Sequence, residues 1–162
     1  MSSDVRFKNP FTCIIAGPTR SGKSTFCVRF LQNLRTLCSE SNFEGGILWW
    51  FSEQTSISRE SLNELKPIIG YHEGVPIDIK KPRAQACLFI LHDPLNDVYS
   101  SRNVCDLFTK SSHHRNISFI LITQNIFHQD RHYRDISLNA RYLLLLKNVR
   151  DRSQFYRLAQ QV

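Results

Sequence analysis

The stretch GPTRSGKST, residues 17–25, sets two glycines around a short turn and follows the second with lysine and serine. It fits the pattern G-x-x-x-x-G-K-[ST] at Gly17, Gly22, Lys23 and Ser24. Such spacing suits phosphate chemistry. The glycines let backbone N–H groups turn inward and approach phosphate oxygens closely. A helix opening near Lys23 adds the positive end of its dipole. The whole loop, Gly17, Pro18, Thr19, Arg20, Ser21, Gly22, Lys23, Ser24 and Thr25, is expected to wrap the phosphates of ATP. Lys23 would bridge the β- and γ-phosphates, and the Ser24 hydroxyl would ligate Mg²⁺. A chain of this length carries the pattern by chance at roughly half a percent.

The second candidate lies at CLFIL, residues 87–91, followed by His92, Asp93 and Pro94. Where a nucleotide is hydrolysed, a buried strand of this shape ends in two acids. One holds the Mg²⁺ and its neighbour deprotonates the attacking water. Here a histidine precedes the single acid, and Mg²⁺ strongly prefers oxygen donors. Two registers are open. His92 replaces the metal-side acid and leaves Asp93 as the base, or Asp93 is the metal-side acid and no base follows it. Pro94 biases Asp93 to extended geometry in either case. Both registers weaken hydrolysis more than binding, and Asp97 is the one nearby acid that could compensate.

These residues need a scaffold, and the apolar runs outline one. FTCIIAG (11–17), ILWWF (47–51), CLFIL (87–91), SFILIT (118–123) and YLLLL (142–146) are short, almost unbroken and rich in branched or aromatic residues. Such runs suit strands covered on both faces. Amphipathic stretches at Lys23–Leu37, Ser58–Leu65, Val98–Ser112 and Asp151–Gln161 lie between and after them. Alternating strands and helices predict an α/β fold with a mainly parallel sheet flanked by helices, and loops gathered along one edge. The glycine- and proline-bearing segment 67–82 reads as a surface excursion with a small extra strand near Val75–Ile79. Trp49 and Trp50 read as core, one to each face.

Composition narrows the class. The 162 residues are 41% apolar and 22% charged, enough for one globular domain over 1–162. No run approaches the ~20 apolar residues of a membrane span. MSSDVRFKNP lacks the apolar core of a signal peptide, so an intracellular site and no membrane partner are expected. The ending LAQQV reads as mid-helix or as the end of a helix, which is compatible with a longer parent protein truncated at its C-terminus. Cysteines at 13, 27, 38, 87 and 105 show neither disulfide pairing nor metal-ligand spacing. Net charge is +7 and uneven: residues 1–100 hold 11 Lys/Arg against 10 Asp/Glu, residues 101–162 hold 10 against 4. A basic last third can meet a polyanion or remain a solvated surface.

With both motifs placed, the chain resembles the DNA-packaging ATPases of the HerA/FtsK superfamily, particularly those of adintoviruses and Maverick/Polinton elements. The likeness runs from Phe11 to Val162 and is most specific over DLFTKSSHHRNISFILITQNIFHQDRHYRDISLNARYLLLLKNVRDRSQ, residues 106–154. It implies a RecA-like, additional-strand P-loop NTPase fold whose fourth core strand ends in ITQN, residues 122–125, with Gln124 sensing the γ-phosphate or water. It implies an arginine finger just before that strand, for which Arg115 is the best match, with His113 and His114 as alternatives. Asn139 matches a recurrent family position. Family members usually carry two acids and a leucine where this chain has His92-Asp93-Pro94, which favours loss of the metal-side acid. The activity implied is ATP-driven translocation of double-stranded DNA into a capsid. Its partners would be a homo-oligomeric ring and viral capsid proteins, in the host nucleus, the cytoplasm or the virus assembly site.

Two rivals stand beside it. One is a hydrolysis-deficient degenerate copy that binds nucleotide as a structural or switch module. The other is a small-molecule kinase, which would need an arginine-rich lid. Lesser signals fit without new chemistry. His128 and His132 lack the intervening glutamate of a zinc protease and read as part of a polar loop or helix cap. NIFHQDRHYR, 125–134, reads as an exposed loop, or in a ring as a channel loop whose Arg131 and Arg134 touch DNA phosphates. Lys147, Arg150, Arg152 and Arg157 read as a solvated basic surface.

Overall fold

The protein is described by a computed structural model over residues 4–39, 43–51, 69–73, 85–92, 102, 104–111, 116–125, 131–146 and 152–160. Its strands are β1 (Thr12–Ala16), β2 (Gly46–Phe51), β3 (Ile69–Glu73), β4 (Cys87–His92), β5 (Ile117–Thr123) and β6 (Tyr142–Leu145). Helices are α1 (Lys23–Gln32), α2 (Leu34–Leu37), α3 (Arg131–Asn139) and α4 (Ser153–Ala159), with a π-helical turn at Leu107–Ser111. All five apolar runs are strands, within a residue or so at each end.

The strands form one six-stranded sheet in the order β3-β2-β4-β5-β1-β6, and every pairing is parallel. β5 lies between β1, which feeds the phosphate loop, and β4, which ends at His92. That is the additional-strand arrangement. Every residue of β1, β4 and β5 is buried, as their unbroken apolar runs require of strands covered twice.

The pleat divides the core in two. Cys13, Ile15, Ile47, Trp49, Leu88, Ile90, Ile120 and Ile122 pack with Phe30, Leu31 and Leu34 of α1 and α2. Ile14, Trp50, Phe89, Leu91, Phe119 and Leu121 pack on the other face with Val104, Leu107, Phe108 and Ile136. The two tryptophans thus serve opposite faces. All five cysteines are buried thiols, and burial pushes Cys13 up to about 12.

Three elements differ from expectation. The helix over 23–37 breaks at Asn33, whose side-chain amide donates to the Arg29 carbonyl at 2.8 Å and competes with the ladder. The extra strand is Ile69–Glu73 beside β2, while 75–79 lies outside the described residues. The loop read over 125–134 is helical from Arg131, because Tyr133 and Ile136 recur at helical spacing and both bury. The helix expected at Ser58–Leu65 and part of that at Val98–Ser112 lie outside the described residues. Among the described residues no helix is long and apolar enough to cross a membrane.

Candidate phosphate-binding site

β1 delivers the chain into the loop 17–25, and α1 leaves it at Lys23. The Gly17 N–H donates to the Thr123 carbonyl at 3.2 Å, which ties the loop's first residue to the end of β5. A turn follows, closed by Ser21 N–H to the Pro18 carbonyl at 3.1 Å. Arg20 (φ 65°) and Gly22 (φ 95°) are both left-handed. Left-handed residues among right-handed ones turn successive N–H groups inward as an anion nest, at the N-terminus of a ten-residue helix.

Lys23 is 7% exposed. Its ammonium spans the loop and donates to the carbonyls of Gly17 (2.6 Å) and Pro18 (2.9 Å). Ser24 is half-buried on the first turn of α1, and Thr19, Arg20 and Thr25 are exposed. Ser21 Oγ is buried and has no hydrogen-bond partner among the described residues. Gly17 is required sterically, since a Cβ there would meet Ser21 Oγ at 2.7 Å and Leu146 Cβ at 2.9 Å. An orphaned hydroxyl, a nest, a helix N-terminus and a placed ammonium fit a polyphosphate chain.

The serine hydroxyl can swing away from an added methyl, but the Leu146 backbone-proximal carbon cannot. Gly17→Ala is therefore expected to cost about 1–3 kcal/mol and to displace the end of β6, read as a lower thermal midpoint with weakened nucleotide binding.

His92 is the last residue of β4 and is 4% exposed. It pairs with Phe51 of β2 and Ile122 of β5, and alternation with Leu88 and Ile90 puts it on the α1 face. Trp49 lies beside it, ring centroids 6.4 Å apart. Burial, and then the nearby Lys23 ammonium, push its imidazole down to about 4, so it is neutral at neutral pH. A Mg²⁺ ion held at this loop would meet an imidazole nitrogen here, a poor donor for it, with Ser24 as an oxygen donor among the described residues.

The same depression sets an acid limit on stability. The unfolded chain takes up this proton near 6.5 and the folded chain only near 4. Between those values the unfolded state holds more protons, so stability falls as pH falls, by up to about 1.4 kcal/mol per pH unit. Urea midpoints measured from neutrality down to pH 4 should drop more steeply for this chain than for His92→Gln.

Gln124 is exposed directly after β5, one residue past the carbonyl that holds Gly17. Thr123 Oγ1 shares a hydrogen bond with Tyr133 Oη at 2.8 Å and so braces this turn against α3. The far end of α3 is tied as well, since Thr12 Oγ1 donates to the Asn139 carbonyl at 2.9 Å. The structure thus brings Lys23, Ser24 and His92 to one face and Gln124 to the adjoining strand end. Asp93, Pro94, Asp97, His113, His114, Arg115, His128, Lys147 and Arg150 lie outside the described residues. Sequence reasoning set His92 in the same site as Lys23 but missed the brace from Tyr133, for which the helical spacing of Tyr133 and Ile136 was the available signal.

A parallel sheet of this order, with the glycine-lysine loop between β1 and α1, is the fold of P-loop ATPases. Among solved structures the chain is similar to the cytoplasmic domain of EssC, with a TM-score of 0.61 at 12% identity over 92% of this chain. It spans 33% of that EssC chain. The structure of the E. coli MS115-1 HORMA:CdnC:Trip13 complex aligns over 95% of this chain and 50% of its own, at 15% identity and a TM-score of 0.47, too low to argue from. No protein-family model and no curated protein matches the chain. At such identities the likeness establishes the fold alone.

Proposed function

We propose that this chain binds ATP with Mg²⁺ in the loop 17–25 and is the ATPase domain of a motor that moves double-stranded DNA into a viral capsid. The observation that carries nucleotide binding is the loop itself, with the Lys23 ammonium across its mouth and the orphaned Ser21 hydroxyl within it. The motor reading rests on the resemblance over 106–154 and is supported by β5, which sets Gln124 beside the phosphate loop.

In this reading the nest and Lys23 hold the β- and γ-phosphates, and Ser24 would hold the metal, which would supply charge neutralisation at the phosphates. Asp93 takes the proton of the attacking water while Gln124 orients it. Arg115 of a neighbouring copy completes the site, so a ring of copies turns over ATP and an isolated copy is nearly inactive. Such fingers contribute roughly 10³- to 10⁵-fold in related phosphate chemistry. DNA contacts go to phosphates, through the basic residues of the last third, without reading sequence.

A second reading is a nucleotide-binding module without turnover, and the buried neutral His92 beside Lys23 favours it. Binding of labelled ATP and turnover with and without double-stranded DNA separate the two. Binding together with DNA-stimulated turnover supports the motor. Binding without turnover on DNA selects the module. Failure to bind ATP at millimolar concentration removes both.

A further inference from the structure

On the sheet face opposite α1, three ligating side chains converge without any part in the phosphate site. The Cys105 thiol, a ring nitrogen of His132 and a carboxylate oxygen of Asp135 all lie within 4.8 Å of one another. Cys105 is buried and the other two are half-buried. His132 and Asp135 are one turn apart on α3, so they share a face. Cys105 enters the helical segment that closes in the π turn Leu107–Ser111, and such turns often mark functional sites. Val104, Leu107, Phe108 and Ile136 pack in one core cluster, which fixes both backbones before any ligand arrives.

We propose that Cys105, His132 and Asp135 form a zinc-binding site that clamps the 104–111 segment to α3. Donor chemistry selects the ion: magnesium and calcium take oxygen, whereas one sulfur, one nitrogen and one oxygen suit zinc. Geometry permits it. Bonds of about 2.0–2.3 Å to a tetrahedral zinc hold ligand atoms roughly 3.3–3.8 Å apart, within rotamer reach of the observed cluster. Charge permits it too, since a thiolate and a carboxylate cancel the dication at the edge of an apolar core. Zinc displaces the thiol proton to solvent as the sulfur–metal bond forms. Among the described residues these three are the ligands, and a fourth position remains. The His132 partners are therefore a buried cysteine from another element and an aspartate one turn on.

The clamp acts on the turn after β5, because Tyr133, between the two α3 ligands, holds Thr123. Its test is independent of nucleotide chemistry. The full chain, stripped with chelator, is titrated with Zn²⁺ against a colorimetric chelator and separately with Co²⁺. One equivalent of zinc per chain and a thiolate-to-cobalt charge-transfer band in the near ultraviolet are expected. Cys105→Ser abolishes the band. His132→Gln and Asp135→Asn, at half-buried positions, each weaken zinc at least about tenfold and serve should the cysteine variant fail to fold. No zinc binding, cobalt bound without the sulfur band, or zinc affinity unchanged in His132→Gln and Asp135→Asn overturns the proposal.

Discussion

Replacing His92 with aspartate is expected to raise Mg²⁺-dependent ATP turnover on double-stranded DNA by about 10²-fold or more, the usual scale for restoring one preorganised electrostatic group. The position explains why. His92 ends β4 on the face shared with Ile15 and Trp49, close enough to Lys23 for that ammonium to depress its imidazole. A carboxylate there gains from the same ammonium and gives the metal an oxygen in place of a nitrogen. Nucleotide affinity should change far less than turnover, since the loop proposed to hold the phosphates is untouched. The acid-sensitive window of stability should also disappear with the imidazole. Equal turnover in His92→Asp and the parent would place the metal on Asp93 instead. A parent that binds ATP and stays silent while the variant turns over identifies His92 as the residue that switches the site off.

Lys23→Met should weaken ATP binding by roughly 10- to 150-fold while leaving the sheet folded, read by titration with a fluorescent ATP analogue and by thermal unfolding. Methionine keeps much of the apolar stem and removes only the ammonium. That ammonium makes two charge-assisted bonds, to Gly17 and Pro18, and would exchange them for phosphate oxygens. Hydrogen bonds to a charged group contribute about 1.5–3 kcal/mol, which sets the range. The loop also loses the donor that ties its two carbonyls together. A larger share of the loss should therefore appear in the dissociation rate, as the cradle closes less firmly on the phosphates. Undiminished affinity would mean that nucleotide does not occupy this loop.

The fold was legible wherever burial wrote itself as an unbroken apolar run. Cys87–His92 and Ile117–Thr123 are covered on both faces, so apart from Ser118 nothing polar interrupts them before His92 and Thr123 at their ends. Ile69–Glu73 was not legible, because a strand at the sheet's edge tolerates glycine, histidine and glutamate, and its Tyr71 is exposed. The helix at Arg131–Asn139 was obscured by its charges, since among its described side chains only Tyr133 and Ile136 bury. The phosphate loop was legible because backbone chemistry dictates glycine at fixed places. The cluster of Cys105, His132 and Asp135 was not, because its members come from separate elements and meet only in three dimensions.

The position of β1 carries a consequence for how the chain is made. Emerging first among the described strands, it pairs with β5 and β6, partners that follow it by more than a hundred residues. During synthesis the phosphate loop therefore exits the ribosome long before anything exists to hold its strand in register. β2, β3 and β4, translated next, have their partners in one another. Contacts of such long range are slow to close and leave an apolar strand exposed while they do. Among the described strands, the one that feeds the candidate phosphate loop is thus translated early and completes its pairing only when β5 and β6 arrive.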